Sequence, residues 1–398
     1  MILRIIRLAA VGLVVGSAAG PFASWPPWVA SASPWAPGAE EEDGRSVPEA
    51  SRDATSRVSG AASATGGELV RADTPTTTGR EAAGAVVTAG RSERVAAVAA
   101  FAAEAFGRSG ALRTALALPG ERVRLPVAWT TPTLPGERLY RWAPVLGTPG
   151  GGGGGAGRAR RYEAGAALIA PDSTGVYELE VEAGGARERL EGIRLVVLVP
   201  FEAKRGGRIR DYRIGRYPTE GSGRTDRYAP PRGFVEVTRR NQSLRLSDHF
   251  RLREFLTHDQ RDVWPKYAVV DLRLLEKLEL VLDELAVQGV AADRMHVMSG
   301  FRTPQYNSRG LNLGRARLSR HQFGDAADVW IDSDADGYMD DLNGDGRRDT
   351  RDARVMLRAV ERIESRHPDL LGGAGIYADN GVHGPFIHID VRGHRARW

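Results

Sequence analysis

The chain has 398 residues, and its apolar fraction of 42% is sufficient for at least one large core. It contains no cysteine, which excludes a disulfide scaffold and a lipoprotein anchored through cysteine. The net charge of +5 is dispersed among acids, so it gives only weak support for a nucleic-acid partner and agrees equally well with a mild attraction to anionic wall polymers.

The N-terminal segment has the pattern of an export signal. Arg4 and Arg7 precede an apolar run that is too short for a comfortable membrane span, and the sequence ASA at 30–32 offers a cleavage site. We predict a signal peptide over 1–32 and an extracytoplasmic location, in the periplasm, the cell wall or the medium. The alternative is an uncleaved membrane anchor, because Trp residues follow the apolar run. Residues 33–95, rich in small and charged residues, predict a disordered tether.

Residues 96–205 predict a small all-β domain. Apolar and polar residues alternate between turn signals there, and β-branched residues are frequent. The turn PDSTG at 171–175, followed by Val176 and Tyr177, is typical of an immunoglobulin-like sandwich in which a tyrosine fixes a corner. No residue set in this domain suggests catalysis, so we predict a spacer or wall-binding module. A linker rich in Gly, Pro and Arg follows over 206–244 and is expected to pack along the next domain.

The last predicted domain covers 245–398 and has an α+β pattern. A helix is expected from Asp271, which can cap its start, to about Gln288, with Gly289 ending it. Five leucines fall on one face of this helix; they are Leu274, Leu275, Leu278, Leu282 and Leu285. Short strand-like segments follow towards the C-terminal residue.

Three residues of this domain are candidate metal ligands. A zinc hydrolase needs three His or carboxylate ligands and one open position for water. His321 and Asp328, seven positions apart, could supply two, and His388 in an apolar strand could be the third. Asp390 shares the strand face of His388 and could orient it. Taken singly, each of these histidines is more often structural, and the first pair could belong to a polar loop.

Three stretches, read together in chain order, favour metal binding over a structural role for these residues. SGFRTPQYN at 299–307, SRHQFGDAADV at 319–329 and FIHIDVRGHRARW at 386–398 resemble the zinc D-Ala-D-Ala carboxypeptidase family. That family shares its zinc-site fold with the hedgehog signalling domain and with murein endopeptidases. The resemblance covers about 150 residues and includes LSDHFRLREF at 246–255. It implies a hedgehog/DD-peptidase-like fold for the C-terminal domain.

The resemblance also implies roles for single residues. His321, Asp328 and His388 correspond to the family's zinc ligands. Arg302 would bind the substrate by polarising its carbonyl or holding a carboxylate, a task that suits a planar guanidinium. Ser319, at the start of the second stretch, is expected to contribute to substrate binding.

The general base is less directly indicated. Many family members place an acid three residues before the last ligand, where this chain has Pro385. Some carboxypeptidase members use a histidine five residues before it, here His383, and an imidazole titrates near neutral pH. We therefore expect His383 as the base or transition-state stabiliser, with Asp390 as the second candidate.

The acidic stretch 332–352 predicts calcium binding. Acids at every second position with glycine in place match the twelve-residue calcium loop, in the variety with Asp at position 12 that dockerins use. The better frame supplies Asp341, Asn343, Asp345, the backbone oxygen of Arg347, Asp349 and Asp352. An overlapping frame supplies Asp332, Asp334, Asp336 and Asp340. The frames share residues, so they form either a double site or one site with extra acids.

The alternative for this stretch is a solvated acidic insertion. We favour structural calcium, because the eight aspartates between Asp332 and Asp352 would otherwise repel one another strongly.

These features predict an exported, monomeric zinc metallopeptidase that hydrolyses peptide bonds of peptidoglycan, as a D,D-carboxypeptidase or an endopeptidase. One alternative is a non-catalytic wall-binding protein with a zinc-retaining, degenerate peptidase domain, which the missing acid at 385 leaves open. A calcium-dependent adhesion module is a third hypothesis.

Overall fold

The computed structural model describes residues 107–123, 138–145, 160–161, 168–183, 186–224, 226–311, 315–381 and 383–398. The predicted signal peptide over 1–32 and the predicted tether over 33–95 lie outside these residues. Among the described residues, no helix is long and apolar enough to cross a membrane. The described chain is mixed α/β, with several sheets and few helices, which is compatible with the predicted α+β class.

In the region of the predicted sandwich, the regular elements described between residues 107 and 197 are strands. The described strands are β1 (Thr114–Ala117), β2 (Arg122–Val123), β3 (Arg138–Pro144), β4 (Arg160–Arg161), β5 (Leu168–Ile169), β6 (Gly175–Ala183) and β7 (Ala186–Val197). One sheet has the order β1-β7-β6-β3-β4, with β1 parallel to β7, and β2 pairs with β5. The Tyr177 hydroxyl donates to the carbonyl of Ser173 at 2.9 Å, which ties the turn at the start of β6. The immunoglobulin-like assignment stays a prediction.

The segment 206–244, expected as a linker, is packed chain. The structure describes β8 (Val199–Pro200), β9 (Arg208–Ile209), β10 (Tyr212–Arg213), β11 (Gly233–Val237) and β12 (Lys266–Ala268) around it. β11 lies between β8 and β12 in an antiparallel sheet. Tyr212, Tyr217 and Phe234 are fully buried in one cluster with Tyr267 and Phe323. This segment therefore forms part of the core beside the C-terminal sheet.

The C-terminal part combines helices with a five-stranded sheet. Its elements are α1 (Leu272–Val287), β13 (Met295–Ser299), α2 (Pro304–Ser308), β14 (Ala326–Ile331), α3 (Thr350–Arg366), β15 (Gly373–Tyr377), β16 (Phe386–Asp390) and β17 (Ala396–Arg397). The strand order is β13-β14-β16-β15-β17. α1 packs on α3, and α3 packs on β15 and β16.

The predicted helix is confirmed as α1. The Asp271 side chain accepts a hydrogen bond from the Arg273 amide at the N-terminus of the helix. At the other end Gly289, with φ of 75°, follows the C-cap residue Gln288. All five leucines of the predicted face are buried. The buried leucines give the helix an apolar stripe with which it can pack on α3.

Candidate metal centre

The register of the central sheet brings two of the three predicted ligands together. β14 and β16 are antiparallel, and Asp328 lies directly opposite His388 in their pairing. Directly opposed residues on one sheet face have Cβ atoms about 4.5–5.5 Å apart, so their side chains can reach a common point. Both side chains are buried in the structure.

His321 comes from a short 3-10 turn that precedes β14. The turn spans Arg320–Phe323 and ends at Gly324, whose φ of 72° is unfavourable for residues with a Cβ. A Cβ at Gly324 would also lie 2.4 Å from the Val269 carbonyl oxygen. Arg320 forms an ion pair with Asp325 on the other side of Gly324, and both side chains are buried. These contacts fix the backbone that carries His321 towards the strand pair.

The three candidate ligand atoms converge. Nδ1 of His388 lies 2.9 Å from Oδ1 of Asp328, and Nε2 of His321 lies 3.2 Å from each of those two atoms. A tetrahedral divalent ion with N and O ligands at about 2.0–2.2 Å places its ligand atoms about 3.3–3.6 Å apart. The observed triangle is close to that spacing, so this buried group could bind a metal ion.

The outward-facing nitrogen of each histidine also has a partner. Nδ1 of His321 lies 2.7 Å from the Gly300 carbonyl, and Nε2 of His388 lies 3.1 Å from Oδ2 of Asp390. With those nitrogens protonated, the other nitrogen of each ring presents a lone pair to the common point. Metal-binding histidines are usually oriented by such an acceptor. The donor set and its surroundings therefore fit a metal ion.

Arg302 lies against the third ligand. Its Nη2 donates to Oδ2 of Asp328, and its Nε donates to the Ser299 hydroxyl at 2.8 Å. Oδ1 of Asp328 therefore faces the two histidines, while Oδ2 accepts the hydrogen bond from the guanidinium. Within the described residues, Nη1 of Arg302 has no protein acceptor, and the side chain is 16% exposed. This nitrogen remains available for a group that enters beside the ligands.

The electrostatics separate the two histidines. Burial lowers the pKa of His321 to about 4, so this ring is neutral. Burial also acts to lower the pKa of His388, but its hydrogen bonds to Asp328 and Asp390 outweigh that effect and raise the pKa to about 9. Burial acts to raise the pKa of Asp328, yet the His321 and His388 rings and Arg302 hold it well below its usual range. Without metal, one proton therefore resides on the His388 side of the group at neutral pH.

This charge state predicts the pH dependence of metal binding. A metal must displace the His388 proton, so affinity should rise about tenfold per pH unit towards pH 9 and then level off. The stability of the metal-free fold changes in the opposite direction. Because the pKa of His388 is raised, protonation of His388 stabilises the fold fully below about pH 6.5, and this contribution is lost as the pH rises through about 9. Competition with a chromophoric chelator from pH 6.5 to 9.5 measures the affinity. A flat profile would show that His388 is already deprotonated.

Asp390 is fully buried behind His388. Arg392 donates to it through Nε at 2.9 Å and through Nη2 at 2.6 Å, and the Gly373 amide donates at 2.7 Å. With His388 as a further donor, both carboxylate oxygens are occupied by protein groups. This arrangement favours the orienting role over the role of general base.

We predict that Asp390→Asn weakens metal binding by about 10- to 100-fold, because the amide oxygen is a poorer acceptor for the His388 ring. The same substitution should lower the pKa of His388, which ring NMR signals report in the metal-free protein. Glu202→Gln, at an exposed carboxylate, is the matched control and should leave both quantities unchanged. Unaltered metal affinity in Asp390→Asn would remove the orienting role.

The structure also describes the other two predicted site residues, His383 and Ser319. His383 is half-buried, its ring meets Phe386 edge-on at 4.8 Å, and its Nδ1 lies 2.8 Å from the Gly384 carbonyl. Its Nε2 makes no hydrogen bond to any residue that the structure describes. Ser319 precedes the turn of His321, and its hydroxyl makes no capping hydrogen bond.

Trp398, whose ring lies beside His388, was not identified from the sequence. The Trp398 ring lies 5.3 Å from the His388 ring, and its indole nitrogen donates to the Tyr377 hydroxyl at 2.7 Å. A Cβ at Gly375 would lie 2.3 Å from the indole, so this glycine makes room for Trp398. The glycines of GGAG at 372–375 were the available signal, because glycine inside a strand marks a close approach.

No protein-family model, curated protein or solved structure matches this chain. The family resemblance therefore remains a prediction, and the case for the centre depends on its geometry.

The acidic stretch 332–352 contains a second carboxylate group. Oxygens of Asp332, Asp334 and Asp340 lie within 4.8 Å of one another and could hold a metal ion. Asp332 is buried and meets Arg294 at 3.0 Å. Asp336, of the same predicted frame, pairs with Arg348 at 2.6 Å instead.

The downstream frame is occupied mainly by backbone amides. Asp341 accepts amides of residues 344–346, and the buried Asp352 accepts amides of residues 342, 343 and 349. Asp349 caps α3, and Asp345 pairs with Arg351 at 2.6 Å. The side-chain oxygen of Asn343 accepts a hydrogen bond from the Asp345 amide. The carboxylate of Asp345 accepts a hydrogen bond from the Arg347 amide. Arginines and amides thus relieve part of the repulsion that the sequence argument assigned to calcium.

Proposed function

We propose that the chain is a zinc metallopeptidase that hydrolyses peptide bonds of bacterial peptidoglycan outside the cytoplasm, as a D,D-carboxypeptidase or an endopeptidase. One observation carries this proposal: His321, Asp328 and His388 present three ligand atoms 2.9–3.2 Å apart in a buried group. The substrate class comes from the resemblance of the three motifs.

The donor set supports zinc in particular. Two imidazoles and one carboxylate suit zinc, whereas calcium and magnesium prefer oxygen ligands alone. Three protein ligands are also the number found in catalytic zinc sites, which keep a fourth position for water or substrate. Bound zinc supplies a Lewis acid that polarises a carbonyl and lowers the pKa of water to about 7.

The chain's own residues then position the substrate and move the proton. Nη1 of Arg302 can donate to the carbonyl oxygen where negative charge develops, or to a substrate carboxylate. Asp328 and Ser299 hold that guanidinium in place. The unpartnered Nε2 of His383 can accept a proton from the attacking water and return it to the leaving amine. Asp390 keeps His388 in one orientation.

A second candidate is a wall-binding protein that retains zinc but does not turn over. Two observations favour it: Pro385 stands where many family members have an acid, and both oxygens of Asp390 are occupied. In that case His383 would have no catalytic role, and Arg302 would serve only to bind a carboxylate.

Digestion of purified muropeptides by the full chain, followed by mass spectrometry, separates these candidates. Loss of one terminal D-Ala would identify a carboxypeptidase, and cleavage of cross-linked dimers would identify an endopeptidase. One zinc per chain without any product would favour the wall-binding protein. A chain that binds no zinc would contradict both candidates.

We also propose that calcium occupies the group of Asp332, Asp334 and Asp340 and stabilises the stretch beside the sheet. Calcium at 100 times its dissociation constant should raise the free energy of unfolding by about 2.7 kcal/mol. Thermal melts of chelator-treated protein with and without calcium measure the effect. Asp334→Asn should abolish it, whereas Asp369→Asn, outside the stretch, should not. A melting temperature that does not change with calcium would contradict the proposed site and would mean that the arginine pairs neutralise these acids.

A further inference from the structure

A cleft of about 730 Å³ is bounded by the turns of the segment 204–220 and by Gln305 of α2. Its lining contains four cationic side chains and one acidic side chain. The cations are Lys204, Arg208, Arg213 and Arg216, and the acid is Glu220. None of these residues belongs to the metal centre.

The single acid is already neutralised. Both oxygens of Glu220 lie 2.8 Å from Nζ of Lys204, and one of them also accepts the Tyr217 amide at 3.0 Å. The Lys204 side chain is 3% exposed, so this pair is held in the wall of the cleft. It adds no net charge to the space in front of it.

The three arginines are not neutralised. Arg208, Arg213 and Arg216 are exposed, and none of them forms an ion pair within the described residues. Within the described part of the chain, their one side-chain hydrogen bond runs from Arg208 to the carbonyl of Asp211, at 3.4 Å. Each guanidinium has five donor hydrogens and no acceptor. The cleft therefore presents three unpaired positive charges on one concave surface.

The cleft lies close to the metal centre along the chain. A Cβ at Gly215 would lie 2.7 Å from the Gln305 amide nitrogen, and that amide donates to the Ile214 carbonyl at 3.0 Å. Gln305 follows Arg302 by three residues, so their Cα atoms are at most about 11 Å apart. A ligand in the cleft would thus be held next to the segment that carries Arg302.

We propose that this cleft binds phosphate groups, and in particular those of a linear phosphodiester polymer without bases. Guanidinium groups pair bidentately with phosphate, and a phosphodiester keeps its charge at every physiological pH. The lining contains no aromatic side chain, and bases of single-stranded nucleic acid are usually stacked on such side chains. The site is independent of the peptidase function proposed above.

Isothermal titration calorimetry on the full chain tests this proposal with three probes: pyrophosphate, a synthetic glycerol-phosphate oligomer, and a single-stranded oligonucleotide of equal charge. We expect the oligomer to bind most tightly. The variant Arg213→Gln with Arg216→Gln should weaken its binding about 100-fold, about tenfold for each charge-assisted contact. The slope of log affinity against log salt should become shallower by about one for each arginine removed.

The control is Arg354→Gln with Arg358→Gln, at two exposed arginines of α3 outside the cleft, which should change affinity less than twofold. Equal weakening by both double variants would show attraction to net charge alone and overturn the site. Absence of binding would overturn it as well, and tighter binding of the oligonucleotide would overturn the choice of polymer. Binding should persist in His388→Ala; its loss there would assign the phosphate to the metal centre. Because binding rather than hydrolysis is measured, failure here would leave the proposed peptidase untouched.

Discussion

Replacing His388 with alanine is expected to remove the metal from the protein and to reduce peptide hydrolysis by about 1000-fold or more. Two ligands remain, and Asp328 then keeps Arg302 as its main charged partner. A catalytic metal contributes several kcal/mol of transition-state stabilisation, which corresponds to about three powers of ten in rate. No other residue of the group can replace the lost lone pair, because His321 and Asp328 already supply the other two ligands.

Metal content by mass spectrometry and product formation from a muropeptide measure this effect together. His296→Ala is the control, because that half-buried histidine lies on β13 of the same sheet and stacks on Trp330 at 4.3 Å but does not belong to the ligand group. It should retain the metal and the activity. Circular dichroism checks that both variants are folded. Full activity of a metal-free His388→Ala protein would disprove the proposed mechanism.

The helix and the candidate ligands were predictable from the sequence for different reasons. α1 carries five leucines on one face, all of them buried, so its periodicity and its cap predicted its bounds. His321, Asp328 and His388 were indicated by three ordered motifs, although their spacing alone could not distinguish them from structural residues. The strand period also placed Asp390 on the face of His388, where it accepts that ring's hydrogen bond.

Other parts of the site depend on contacts between distant segments. The Gly300 carbonyl that orients His321 belongs to no local pattern, and the Trp398 ring beside His388 is indicated only indirectly, by the glycines at 372–375.

The segment 206–244 has the composition of a linker because Gly, Pro and Arg dominate it, and its Tyr and Phe residues led us to expect that it packs along the next domain. Tyr212, Tyr217 and Phe234 are buried in a core cluster and Tyr228 packs against it, which the composition alone does not show. Composition averages over a segment, whereas burial is decided by single side chains.

The substitution Glu364→Gln is expected to have the second large effect, a decrease of about 3–5 kcal/mol in the free energy of unfolding. Lys277 of α1 is fully buried, and its Nζ donates to Glu364 at 2.7 Å and to the Asp390 carbonyl at 2.8 Å. Burial lowers the pKa of Lys277, and the Glu364 carboxylate opposes that shift. Arg397 also donates to Glu364. A neutral amide would leave two neighbouring cations without their shared anion.

Thermal and urea unfolding measure this loss, and the melting temperature should fall by about 10 °C. Glu361→Gln on the same helix is the control, because its partly exposed pair with Arg395 should contribute less than about 1 kcal/mol. The double variant Lys277→Met with Glu364→Leu should regain part of the lost stability, because it removes both charges of the buried pair. The gain should be only partial, because the Gly372 amide and the Asp390 carbonyl lose their hydrogen-bond partners. If Glu364→Gln were as stable as Glu361→Gln, the buried lysine would have to be neutral.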